Sequence, residues 1–94
     1  MALRDDERIT ALPDVLSRTL DGEAVLLDLK SGTYFGLNDV GTKIWEIIAQ
    51  GATIAEIRTL VLATFEVDEP TASRDLEDLL AELDKRSLIV RDGR

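Results

Sequence analysis

Apolar and polar positions alternate in the first third of the chain and then switch abruptly to a helical period. Val15–Leu20 is the first predicted strand, after a weakly patterned stretch from Ile9 that Pro13 interrupts. Asp21-Gly22 is a two-residue turn of the kind that joins hairpin strands. Glu23–Leu29 follows as a second strand, with Val25, Leu27 and Leu29 on one face and Ala24, Leu26 and Asp28 on the other. Lys30-Ser31-Gly32 is the next turn, and Thr33–Leu37 makes a third strand. Two tight turns joining three short strands predict an antiparallel meander.

Asn38-Asp39 supplies good helix N-caps, and Val40, Ile44, Ile47 and Ile48 then recur at helical spacing, with Trp45 widening the stripe. Gly41 inside this helix costs roughly 1 kcal/mol relative to alanine, which points to a close backbone approach. Gln50-Gly51 ends the helix. Thr53-Ile54-Ala55-Glu56 has the spacing of a capping box and opens a second helix to about Thr64, burying Ile54, Ile57 and Val61 with Leu60 at the margin. After a connection ending at Pro70, a third helix spans about Thr71 to Arg86. Leu88-Ile89-Val90 then offers a last short strand. The expected fold class is α+β, a winged helix-turn-helix-like arrangement of a three-stranded antiparallel meander followed by three helices. Residues 1–8 are expected to be a flexible arm, residues 9–90 one domain, and residues 91–94 a flexible tail.

Composition narrows the chemistry. The 94 residues suffice for one small domain, and 45% hydrophobic content is too apolar for disorder. The chain has no cysteine and no histidine, which removes thiolate chemistry, the commonest general base and the commonest metal ligand. No catalytic residue, cofactor or metal site is expected. The acids lie along helix surfaces without an apolar pocket to shift them, and glycine-rich phosphate loops are absent. The charged start lacks the apolar run of a signal peptide, and no stretch approaches the roughly 20 apolar residues of a membrane span. A cytoplasmic location without membrane contact is therefore expected.

Net charge is −8, and between Phe65 and Arg86 eight acids face three bases. Such a field disfavours nucleic acid and favours a peptide with a basic residue. A DNA-binding winged helix is the competing reading, but its recognition helix needs bases where this one carries Asp and Glu. An assembly module that pairs its open strand with itself, as a homodimer, is another.

The third strand supplies the positive argument. A meander has two free edges, and between Thr33 and Leu37 there is no charge or proline to blunt one. Gly36 would let a visiting backbone come close. On the third helix Leu76, Leu80 and Leu83 fall within about 60° at 100° per residue, forming the core stripe. Leu79 sits beside it, next to Asp75, Glu82 and Arg86, and is the candidate groove wall. An extended peptide would draw main-chain bonds from the strand and specificity from that wall.

The run Val25–Trp45, then Gly51–Ile57, Phe65–Asp68 and Asp75–Leu83, resembles the PqqD family, small proteins related to the pyrroloquinoline quinone biosynthesis protein D. The resemblance covers roughly residues 15 to 90. It implies a precursor-recognition fold that takes the leader segment of a ribosomally made precursor peptide as an added strand, beside the third strand and under the third helix. Carried onto this chain, the implied peptide contacts are Thr33, Tyr34, Phe35, Gly36, Asp75, Asp78, Leu79, Glu82 and Leu83. The implied partners are the leader peptide and a maturation enzyme, whether a protease, cyclase, kinase or radical SAM enzyme. The Leu29–Phe35 stretch differs from the Pro-Glu-Gly form of the quinone-pathway members and is more similar to the stand-alone chaperones of lasso-peptide and kinase-associated clusters.

Overall fold

The computed structural model describes residues 3–92. Strands β1 (Arg8–Ala11), β2 (Val15–Leu20), β3 (Glu23–Asp28) and β4 (Thr33–Gly36) precede helix α1 (Asp39–Ala49). A two-residue strand β5 (Ala52–Thr53), helices α2 (Ile54–Thr64) and α3 (Glu69–Lys85), and strand β6 (Ile89–Asp92) complete the chain. The meander forms one sheet in the order β2-β3-β4, and β1 joins the remote strands in a second, ordered β5-β1-β6. The α+β class, with a meander followed by three helices, is as expected.

Turn chemistry sets the meander. Asp21 and Gly22 both take positive φ, 53° and 81°, giving the hairpin turn whose twist matches the strands it joins. At the second turn the Asp28 carboxylate accepts from the Lys30 N–H and the Ser31 hydroxyl, while Gly32 takes φ 72°. Of the two faces of β3, the one carrying Ala24 and Leu26 is buried. The opposite face, with Val25 and Leu27, stays partly open beside Leu16, Leu20 and Tyr34.

The helices begin where their caps dictate. The Asn38 side chain accepts from the Gly41 N–H at 2.8 Å, and Thr53 with Glu56 forms a reciprocal capping box. A Cβ on Gly41 would lie 3.3 Å from Asn38 Oδ1 and 3.4 Å from the Leu37 side chain, so the suspected close approach is real and lies at the strand-to-helix corner. Gly51 takes φ 78° after the end of α1. Helix α3 starts at Glu69, two residues earlier than Thr71, because the Asp68 carboxylate caps it by accepting from the Thr71 N–H. Leu76, Leu80 and Leu83 are fully buried against Ile44, Ile48, Ile57 and Leu26 in one core. Each contributes about 1.5–3 kcal/mol of burial. Leu60 is 42% exposed and lies outside that core.

Both proposed domain boundaries fall inside strands. Arg8 pairs with Thr53 and Asp92, and Ile9 with Ala52 and Arg91, so order runs through residues 8 and 91. Glu7 is itself buried and forms a two-pronged ion pair with Arg91, whose second nitrogen reaches Glu7 Oε1 at 3.1 Å. The extreme residues 1, 2, 93 and 94 of the expected arm and tail lie outside the described residues.

Candidate functional site

The ladder of the meander decides which backbone groups are free. The Leu37 N–H donates to the Ala24 carbonyl at 2.8 Å, and Val25 lies opposite Gly36. In an antiparallel pair, hydrogen-bonded and non-hydrogen-bonded positions alternate. Thr33 and Phe35 therefore turn their N–H and C=O groups toward β3, while those of Tyr34 and Gly36 point out of the sheet. The other side of β3 agrees: the Leu29 N–H donates to the Asp14 carbonyl, so the odd residues of β3 serve β2 and the even ones serve β4. Among the described residues, no strand lies beyond β4 in its sheet. The main-chain groups of Tyr34 and Gly36 form an open edge.

Beside that edge is a cavity of about 300 Å³, lined by Phe35 to Asn38, by Val40, Gly41 and Ile44 of α1, and by Asp75, Asp78 and Leu79 of α3. Leu79 is half-buried, packing on the core with one side while the other lines the cavity. A smaller recess, about 180 Å³, lies on the far side of Phe35 and is lined by Asp28, Ser31, Thr33, Phe35, Arg86 and Leu88. Phe35 thus separates two recesses along one groove. Arg86 stacks on its ring and holds Glu82 Oε1 at 2.8 Å.

Of the nine residues singled out from sequence, Phe35, Gly36, Asp75, Asp78 and Leu79 line the larger cavity, and Thr33 lines the smaller. Glu82 lines neither recess and is paired with Arg86, which lines the smaller one. Leu83 is fully buried in the core, so its side chain has no surface to offer a ligand. Tyr34 is 68% exposed on the outer face of the sheet beside Leu16 and Leu27; only its backbone faces the groove's edge. Sequence reasoning missed the contribution of α1. Val40 and Ile44 fit a core stripe, and only the corner held by Gly41 brings them under the strand. A lead was available in Gly41 itself, a costly helix residue next to the strand end.

Charge on the groove is one-sided. Asp75 and Asp78 are exposed at its α3 wall, and neither carboxylate has a hydrogen-bond or ion-pair partner among the described residues. No group of three or more metal-ligating side chains occurs among the described residues, and no described helix is long and apolar enough to cross a membrane. The titratable groups that do shift are structural: Arg91 hydrogen bonding holds the Glu7 carboxyl below the usual range, and cap hydrogen bonds do the same for Glu56 and Asp68.

An open strand edge beside an apolar cleft under a helix defines a fold equipped to accept an extended chain. Comparison with known proteins gives that class its family. Residues 23–89 match the model of coenzyme PQQ synthesis protein D (PqqD), and the chain belongs to the PqqD family. Among solved structures it is similar to TbiB1 in complex with the TbiA(beta) leader peptide, at 41% identity and a TM-score of 0.79, covering 85% of this chain and 93% of that one. It is also similar to lasso peptide synthetase B1 complexed with its leader peptide, at 27% identity and a TM-score of 0.76, covering 87% and 96%. No curated protein sequence matches.

Proposed function

We propose that this protein binds the leader segment of a ribosomally synthesised precursor peptide by strand addition at β4 and presents it to a modifying enzyme. The observation that carries the reading is the outward-facing main chain of Tyr34 and Gly36 beside a cavity walled by Leu79. Both similar structures are complexes with a leader peptide, and nearly their whole lengths align with this chain. The protein acts by holding its ligand rather than by chemistry upon it. Affinity comes from main-chain hydrogen bonds along the edge and from side chains entering the two recesses. The bound peptide's remaining length stays free for the partner enzyme, be it a protease, cyclase, kinase or radical SAM enzyme.

Two substitutions test the groove. Gly36→Pro removes an N–H that the β3–β4 ladder does not use, so it should abolish strand addition while leaving the fold largely intact. Leu79→Arg places a long charged side chain in the cavity. Titrating a labelled TbiA(beta) leader peptide, or the cognate leader, should show at least about tenfold weaker binding to both variants, a loss of about 1.4 kcal/mol. Binding equal to the parent's in both would place the peptide elsewhere.

A further inference from the structure

Strand β2 is held along one edge only. Every residue from Leu16 to Leu20 is exposed, so the helices cover neither of its faces there, and Leu16 and Leu20 keep 53% and 61% of their surfaces in water. Both line an open apolar hollow on the outer face of the meander, with Val25, Leu27 and Tyr34, and Arg18 stands among them. Arg18 holds no ion pair among the described residues.

The ladder shows what the outer edge of β2 offers. The main-chain groups of its even-numbered residues serve β3, as the Asp14 carbonyl does in accepting from the Leu29 N–H. Those of Val15, Ser17 and Thr19 therefore point away from the sheet. The Val15 N–H is engaged, donating to the Leu12 carbonyl at 3.3 Å. The Val15 carbonyl and both groups of Ser17 and Thr19 remain, on a strand with no proline or bulge to blunt it.

We propose that two copies of this chain pair antiparallel through β2, with Ser17 opposite Ser17 of the second copy, and so join their meanders into one continuous sheet. Twofold pairing allows few registers. With Arg18 opposite Arg18, like charges meet. With Leu16 opposite Leu16, Ser17 meets Val15, whose N–H is engaged, and Thr19 falls against Pro13 in the turn before β2. With Ser17 opposite Ser17, the two serines exchange both bonds and each Thr19 N–H meets a Val15 carbonyl. Each Arg18 then lies opposite the other chain's Leu16, its stem along that side chain. It is diagonal to the other Arg18 and to the other chain's Asp14, an exposed carboxylate that Lys30 holds only at 3.6 Å. Leu16 comes diagonal to Leu16 and Leu20 of the second copy, which closes an apolar row. β4 stays at each outer end of the joined sheet, so the pairing leaves that edge free and does not depend on what binds there.

The chain has no cysteine, which makes a clean register probe. Hydrogen-bonded antiparallel partners lie about 5.5 Å apart between Cα atoms, inside the disulfide range, whereas the two copies of Thr19 are offset by about 14 Å along the strands. In a glutathione redox buffer, Ser17→Cys should form a disulfide-linked dimer at least about tenfold faster than Thr19→Cys, an equally exposed control. Equal rates, or faster linking in the Thr19→Cys protein, would overturn the register and the pairing with it.

Sedimentation equilibrium at about 0.15 M salt, where repulsion between two chains at −8 is screened beyond about 8 Å, supplies the second reading. A contact built on one strand of 6 residues lies near or below about 1,200 Å², so the parent dimer should be half-formed at roughly 10–100 µM. Ser17→Pro removes an N–H that β3 does not use, and it should keep the parent's circular dichroism while staying monomeric. A parent that stays monomeric to about 1 mM leaves β2 to a different protein and contradicts the pairing, as does a Ser17→Pro protein that dimerises like the parent.

Discussion

The Arg86 guanidinium lies over the Phe35 ring, 4.6 Å from its centroid, and so links the C-terminal end of α3 to the open strand. The same guanidinium pairs with Glu82 one turn back. The stack fixes the ring that divides the groove, and it joins two elements whose relative position sets the groove's width. Arg86→Ala should lower stability by about 0.5–1 kcal/mol, the range of an exposed cation–π pair. Arg86→Lys should recover only part of this, because an ammonium lacks the planar face. Urea denaturation of the three proteins checks the order.

Thr42 sets the angle between sheet and helices. Its hydroxyl, buried in α1, accepts from the Ala24 N–H of β3 at 2.8 Å. Thr42→Val keeps the shape but leaves that buried donor without an acceptor, at a cost of about 1–3 kcal/mol. Thr42→Ser keeps the hydroxyl and should cost less than valine. Thermal melts of the pair separate loss of the bond from loss of the methyl group.

The end of α3 holds a correctable strain. Ser87 takes φ 58°, its N–H donates to the Asp84 carbonyl, and the Leu88 N–H reaches back to the Leu83 carbonyl. This is the paired-bond helix ending in which glycine is the usual left-handed residue. Ser87→Gly should raise stability by about 0.5–1 kcal/mol, the relieved strain outweighing the added freedom of the unfolded chain. A higher urea midpoint at unchanged slope is the expected result.

Acid sensitivity follows from the terminal ion pair. Glu7 is held below the ordinary glutamate value of 4.5, chiefly by hydrogen bonding to Arg91. A depressed folded-state pKa gives stability that is present above the unfolded value and lost as pH falls toward the folded one. The parent should therefore hold its stability near neutrality and lose it below about pH 4.5, with the Glu56 and Asp68 caps acting in the same direction. Glu7→Gln should be less stable at pH 7 by about 1–3 kcal/mol, since Arg91 keeps Asp84 nearby. Its stability should also fall less steeply between pH 5 and 3. Urea titrations across that interval supply both numbers.

Local chemistry made much of the fold legible in advance. Asp21-Gly22, the Thr53–Glu56 box and Gly51 each act within a few residues, and each does in three dimensions what its spacing implies. Of the second sheet only the last strand, expected at Leu88–Val90, was legible, and the rest was hidden for the opposite reason. β1 is four residues long and pairs with strands more than 40 and 75 positions away, Ile9 opposite Ala52 and Arg91, so nothing nearby marks it. The Glu7–Arg91 pair that anchors it is equally remote in sequence. At the groove, the open edge could be read from the lack of charge between Thr33 and Leu37. The outward direction of Tyr34 could not, because it depends on which face of the sheet meets the helices; the burial of Leu83 was already given by the core stripe of α3, and only the resemblance made it a contact. The stack of Arg86 on Phe35 joins two elements remote in sequence, and no local pattern marks it.

Amide hydrogen exchange, followed residue by residue with and without leader peptide, bears most directly on where the ligand adds. In the free protein the Tyr34 and Gly36 amides should exchange fast and the Phe35 amide slowly. Saturating peptide should protect Tyr34 and Gly36 while leaving Ser17 and Thr19, on the opposite edge of the same sheet, unchanged. Protection confined to β2, or slow exchange at Tyr34 and Gly36 in the free monomer, would contradict strand addition at β4.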